Sequence, residues 1–212
     1  VSVTTILLLR HATTPATGRR LGGWTPGVFL DKAGELAAAT VGAALSAVPI
    51  TAVYASPLER TRQTAQPVAK AHGLKVKVRR ELGEVEYGTW TDQPLSRLRK
   101  RPLWDPIQRA PSRVTFPEGE SIRAAQFRTV TFIESLVQAH ADETIVCVSH
   151  ADIIKAVLAH YLGMPLDLFQ RLQIDPASLS VLQLGTYAQM VNLINLAPEA
   201  ATATFESRKA GA

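Results

Sequence analysis

Two histidines and two arginines stand at the ends of short apolar runs in this chain, and that combination suits phosphate chemistry. Arg10-His11 follows the run Thr4 to Leu9, Ser56-Pro57-Leu58-Glu59-Arg60 follows Ala52 to Ala55, and Ser149-His150 follows Thr144 to Val148. Arginines can grip a phosphate through paired N–H donors and neutralise the charge that spreads over its oxygens during transfer. One neutral imidazole can attack phosphorus while the other donates hydrogen bonds to the same oxygens. A metal site is not expected, because no Cys or third His lies at ligand spacing and arginine repels a cation.

These residues act together only if the elements before them bring them to one place. The three apolar runs are too short for helices and read as buried strands. Asp31 reads as the N-cap of a helix reaching about Ala47, with Leu36, Ala39, Thr40, Ala43 and Ala44 on one face. Ser56 is expected to cap a second helix, with Pro57 at its first position and its end near His72 and Gly73. Lys75 to Val78 alternates as an outer strand does. Further helices are expected over Ser121 to about His140, with Ile122, Phe127, Val130, Ile133 and Val137 on one side, and over Ala151 to Leu162. Leu179 to Leu184 and Met190 to Leu196 read as paired strands.

Strands alternating with helices imply an α/β fold, a three-layer α/β/α sandwich with a mainly parallel sheet. Ligands of such sheets bind beyond the carboxyl ends of the strands. Arg10-His11, Arg60 and Ser149-His150 all fall at that edge, where two helix N-termini also offer N–H groups to an anion. Between Gly83 and Glu120 the pattern breaks down under Pro94, Pro102, Pro106, Pro111 and Pro117. This stretch reads as a cap insertion (about 88–120) with one short helix near Gln93 to Arg101. Residues 1–196 are expected to form a single domain, and 197–212 a loose tail.

The segments Leu9-Arg10-His11-Ala12-Thr13, Ser56-Pro57-Leu58-Glu59-Arg60-Thr61-Arg62-Gln63-Thr64-Ala65 and Val148-Ser149-His150-Ala151, taken in order, resemble the histidine phosphatase superfamily, which includes phosphoglycerate mutase-like enzymes. The resemblance implies that His11 is the nucleophile that becomes phosphohistidine, with Arg10, Arg60 and His150 completing the phosphate pocket. Leu82-Gly83-Glu84-Val85-Glu86-Tyr87-Gly88 is similar to the family's acid-donor motif and puts Glu84 at the donor position, ahead of Glu86. Pro117-Glu118-Gly119-Glu120-Ser121 resembles the segment that opens the helix after the cap. Ala12 and Ala151 stand where the family usually has glycine, and Thr17 stands where it commonly has Asn, which leaves Thr17 as a phosphate-binding candidate.

The resemblance therefore implies a phosphomonoester hydrolase, working without a metal or other cofactor on a small phosphorylated metabolite. A phosphomutase is the alternative enzyme, and a non-catalytic phosphate-binding module is the alternative of another class. The cap shows no match to the region with which mutases grip a phosphoglycerate carboxylate.

Composition limits the other classes. Lys and Arg number 23 against 18 Asp and Glu in 212 residues, a modest excess with no basic run of nucleic-acid-tail length. Arg97, Arg99, Lys100, Arg101, Arg109 and Arg113 read as solvated surface, and Arg62 lies about 200° round its helix from Arg60. His72, His140 and His160 read as helix-end or exposed residues. Cys147, the sole cysteine, lies in an apolar run and reads as a buried hydrophobe. Its solitude excludes an intramolecular disulfide and suits a reducing compartment. The opening run lacks a basic flank and reads as a strand rather than a signal peptide. No stretch has the length of a membrane span. A cytoplasmic protein is expected, with no nucleic-acid or membrane partner and with a homodimer left open.

Overall fold

The structure, a computed structural model, describes residues 2–187, 189–201, 203 and 204. In chain order its elements are β1 (Val3–Arg10), β2 (Arg20–Leu21), α1 (Lys32–Ala44), β3 (Ile50–Ala55), α2 (Glu59–Ala71), β4 (Val76–Val78) and β5 (Gln93–Pro94). They continue with α3 (Leu95–Leu98), α4 (Trp104–Arg109), α5 (Ile122–Ala139), β6 (Thr144–Ser149), α6 (Ala151–Tyr161), β7 (Leu179–Gly185) and β8 (Gln189–Leu196).

β1 is apolar on both faces, as a strand covered from both sides must be. Leu7 and Leu9 enter one core with Val53, Val146, Val148, Val41 and Val68. Ile6 and Leu8 enter the other, with Tyr54, Ile145, Cys147, Ile133 and Val157. The first core lies under α1 and α2 and the second under α5 and α6. This is the expected α/β/α sandwich. The main sheet runs β4-β3-β6-β1-β7-β8, in which β4, β3, β6 and β1 are mutually parallel. β7 is antiparallel to β1, and β8 to β7. The sheet is thus mainly parallel with an antiparallel edge, and the two late runs pair as expected. The carboxyl ends of β1, β3 and β6 lie side by side, with Ala55 paired to Val148 and Arg10 to Ser149.

Several local expectations fail for identifiable reasons. α1 stops at Ala44, not Ala47, and buries Gly34, Ala38, Val41, Gly42 and Ala44, while Leu36 is 71% exposed. Small residues face inward because α1 packs tightly on α2. A Cβ on Gly42 would stand 2.7 Å from the Pro67 Cβ. α2 begins at Glu59 behind Leu58 and has no side-chain cap, so Ser56 does not cap it. On α5, Phe127 is 74% exposed, and the buried stripe is Ile122, Ala125, Thr129, Val130, Ile133 and Leu136. Ser121 does open that helix, its hydroxyl accepting from the Ala124 N–H at 3.0 Å.

The cap insertion is more structured than one short helix. It contains α3 and α4, and β5 pairs with β2 as a separate two-stranded sheet. Its own core gathers Val85, Tyr87, Trp90, Leu98, Ile107 and Phe116 against Ile153 and Phe169. The start of the expected loose tail is helical at 198–201, and Ala201 is fully buried in the first core. Of that tail, 202 and 205–212 lie outside the described residues.

Candidate active site

His11 is fixed by β6 and by the turn that leads into β7. Its N–H donates to the Ser149 carbonyl at 3.0 Å, and its carbonyl accepts from the Ala177 N–H at 3.3 Å. The Ala12 N–H donates to Thr64 Oγ1 on α2 at 3.0 Å. Thr13 Oγ1 and the Gly34 N–H both donate to Asp31 Oδ1, at 2.7 Å each, which ties the loop after His11 to the start of α1. Ala12 and Ala151 both keep negative φ, so a methyl group is carried there without strain.

The imidazole of His11 is 7% exposed. Burial, reinforced by the guanidinium groups of Arg60 and Arg10, pushes its pKa down to about 3, so the ring is neutral at ordinary pH. Its Nδ1 lies 2.8 Å from the Ala12 carbonyl. A carbonyl can only accept, so Nδ1 carries the proton and Nε2 presents the lone pair.

His150 packs edge-on to His11, the ring centroids 5.2 Å apart. Burial and the same arginines hold it well below the usual histidine range. Arg60 donates through Nη2 to the Gly23 carbonyl at 2.8 Å and towards His150 Nδ1 at 3.3 Å. His150 Nε2 shares a 2.9 Å hydrogen bond with Ser56 Oγ. A guanidinium can only donate, so His150 Nδ1 accepts from Arg60 and Nε2 carries the proton, donated to Ser56 Oγ.

Arg10 anchors through Nη1 to the Ile174 carbonyl at 2.6 Å. Its Nε, and Nη1 of Arg60, are buried with no partner among the described residues. Buried N–H donors left unmet are costly, and here they belong to two arginines lining one cleft.

Glu84 is 9% exposed and lines the same cleft. Burial, and then the charge of Asp152, raise its pKa to about 7, against the pull of Arg60, the Val85 N–H and Arg10. Its Oε2 lies 3.8 Å from His150 Nδ1, which with a neutral ring is a contact rather than an ion pair. The Glu84 backbone is held from two sides. Its carbonyl accepts from Trp24 Nε1 at 2.6 Å, and Arg128 of α5 reaches the carbonyls of Glu81 and Gly83 and the carboxylate of Glu120. Gly83 is required here, since a Cβ would stand 2.2 Å from the Trp24 ring. Glu86 instead pairs with exposed Arg80 at 2.7 Å and does not line the cleft.

The cleft has a volume of about 250 Å³. Arg10, His11, Arg60 and Glu84 line it, and His150 packs edge-on to His11. Thr17 lines it too, but its hydroxyl accepts from the Thr14 N–H at 2.9 Å and lies 3.1 Å from Thr14 Oγ1. Arg20, Leu21 and Leu95, from the β2–β5 pairing and its flank, also line the cleft, as do Asp152 and Tyr87.

The other singled-out residues lie elsewhere. Arg62 is exposed, and His72 bonds the Leu45 carbonyl at 3.1 Å. His140 bridges Tyr54 and Glu143, at 2.8 and 2.6 Å. His160 is exposed and packs edge-on to Tyr161. Among the described residues, no three His, Cys, Asp or Glu side chains are grouped to hold a metal, and no helix is long and apolar enough to cross a membrane.

Comparison with known proteins places this geometry. The sequence model of the histidine phosphatase superfamily (branch 1) matches residues 6–197. Phosphoserine phosphatase 1 of Hydrogenobacter thermophilus is 28% identical over 210 residues, covering 97% of this chain and 98% of its own length. A Yersinia enterocolitica protein described as probable phosphoglycerate mutase GpmB is 29% identical, over 82% of each chain. The chain spans about half (54%) of a Mycobacterium tuberculosis relative described as bifunctional protein Rv2228c, which is 31% identical over 206 residues. Among solved structures, Bacillus stearothermophilus YhfR superposes with a TM-score of 0.85 at 25% identity, covering 91% of this chain and 97% of that one.

Proposed function

This chain belongs to the histidine phosphatase superfamily, and we propose that within it the protein is a phosphomonoester hydrolase working through a covalent phosphohistidine on His11. The observation that carries the reading is the pairing of a buried neutral His11, proton on Nδ1 and lone pair on Nε2, with a buried Glu84 carboxyl raised to about 7 in one cleft.

In the first step His11 Nε2 forms a bond to phosphorus as the ester P–O bond breaks. Arg10 and Arg60 hold the phosphoryl oxygens, the unmet Arg10 Nε and Arg60 Nη1 donors among their contacts. Glu84 gives its proton to the departing alkoxide. The phosphorylated ring keeps its Nδ1 proton on the Ala12 carbonyl, which offsets the positive charge the ring acquires. In the second step water attacks phosphorus, Glu84 takes a proton from it, and inorganic phosphate leaves with the His11 lone pair restored. Thr17 supports the pocket through Thr14. The substrate is a small phosphate ester, because a cleft of about 250 Å³ holds a phosphoryl group and a leaving group of modest size. Phosphoserine is the first compound to try, given the Hydrogenobacter relative.

The likeness to GpmB favours a second reading, a phosphomutase that returns the phosphoryl group to the substrate. The two separate on phosphoglycerate with a bisphosphate primer: isomerisation faster than phosphate release overturns the hydrolase reading. Rapid quenching with labelled substrate is expected to trap an acid-labile, alkali-stable phosphoenzyme that is absent in His11→Ala. No phosphoenzyme and no turnover across a panel of small phosphomonoesters would instead mark a phosphate-binding module.

A further inference from the structure

Asp152 occupies the first turn of α6, two residues past His150, and lines the cleft beside Glu84. Nothing in the steps above uses it. Its Oδ2 accepts from the Tyr87 hydroxyl at 2.9 Å, and its Oδ1 lies 3.8 Å from the Lys155 ammonium. Tyr87 is 2% exposed and held well above the usual tyrosine range, so its hydroxyl keeps its proton and stays a donor.

A negative charge facing the same small cleft disfavours ionisation of the Glu84 carboxyl. Asp152 has a hydroxyl and an ammonium turned towards it, whereas the Glu84 carboxyl has the Val85 N–H at 3.0 Å from Oε1 and the neutral His150 ring at 3.8 Å from Oε2. The other charged or titratable groups facing Glu84 are Arg10 from β1, Arg60 from α2, and His150 ahead of α6, with Arg128 of α5 reaching its backbone. The two arginines draw Glu84 towards the ionised form. Asp152 is the negative group that acts against them.

We propose that Asp152, held by the Tyr87 hydroxyl, is a positioning residue that keeps the proton on the Glu84 carboxyl until the leaving group needs it. The inference rests on Glu84 being the proton donor proposed above. Without Asp152 only the burial of Glu84 would oppose the arginines, and the acid would hold its proton over a narrower pH range.

The test is the titration of Glu84 followed directly by ¹³C NMR of carboxyl-labelled glutamate, with the signal assigned by its loss in Glu84→Gln. In Asp152→Asn, which keeps shape and removes charge, Glu84 should titrate lower by about one pH unit. The alkaline limb of kcat/KM should move by the same amount while activity at pH 5 is retained, whereas a merely structural role would lower turnover evenly at every pH. Tyr87→Phe should move both in the same direction by less, and it serves as the test if Asp152→Asn does not fold. A Glu84 titration that superimposes on the unaltered protein's overturns the inference. A shifted titration in a protein that forms no phosphoenzyme would overturn the hydrolase reading instead.

Discussion

Glu84 shows how one side chain can cost stability and carry chemistry. Its carboxyl is held at about 7 in the fold against an ordinary 4.5. A carboxyl raised in this way contributes its full stability below about pH 4.5, and that contribution is lost as pH rises through 7. Glu84→Gln is therefore expected to be more stable than the unaltered protein at pH 8, by up to about 3 kcal/mol, with no gain at pH 4. The same variant should lose about 10²–10⁴ in turnover. Chemical denaturation at both pH values, beside steady-state kinetics, checks both halves. His11, Arg10, Arg60 and His150 could be read from the sequence because each ends an apolar run, and parallel strands bring such ends together. Ser56 and Asp152 could not. A serine before proline looks like a helix cap, yet its hydroxyl serves His150. An aspartate in the first turn of a helix is commonplace and gives no sign of what faces it.

At the scale of elements, two glycines of α1 set how closely it approaches its neighbours. A Cβ on Gly34 would stand 2.2 Å from the Thr13 carbonyl oxygen, in the loop that leaves His11. Gly34→Ala should displace that loop, so kcat/KM should fall at least tenfold, with a loss of stability at least as large as that of Gly42→Ala. Gly42 lies against Pro67 of α2, away from the cleft. Gly42→Ala should cost about 1–3 kcal/mol by overpacking, partly offset by about 1 kcal/mol of helix propensity, and leave turnover unchanged. Thermal unfolding and kinetics of the pair separate the two roles. The strand–helix alternation was readable because every central strand must be apolar on both faces. The inward face of α1 was not, since close packing selects small residues there while periodicity draws the eye to Leu36. The cap was misjudged for a related reason: its short helices are held by a local core that no single segment displays.

For the whole molecule, the two buried imidazoles make acid the main threat. His11 is neutral in the fold down to about pH 3 but protonates near 6.5 once unfolded. Its contribution is full above pH 6.5 and is lost as pH falls towards 3, and His150 acts in the same direction. Thermal stability should therefore decline below about pH 6.5. An oxyanion in the cleft supplies the counter-charge an imidazolium needs, and a protonated Glu84 does not repel it. Inorganic phosphate is expected to raise the melting temperature more at pH 6 than at pH 8, and that difference should shrink in His11→Ala and in Glu84→Gln. Equal shifts at the two pH values would mean that the anion binds elsewhere.

The small β2–β5 sheet has a bearing on how such a protein diversifies. Arg10, His11 and Arg60 are placed by the main sheet and its helix α2 and Glu84 by the segment that leads into the cap, while Arg20, Leu21 and Leu95 come from two short segments joined by a two-residue pairing and the Arg20–Asp92 ion pair. The phosphate clamp and the β2–β5 wall of the cleft are thus inherited through separate parts of the chain. Drift in β2 and the cap can open new substrates to selection while the phosphate clamp stays under its own constraint.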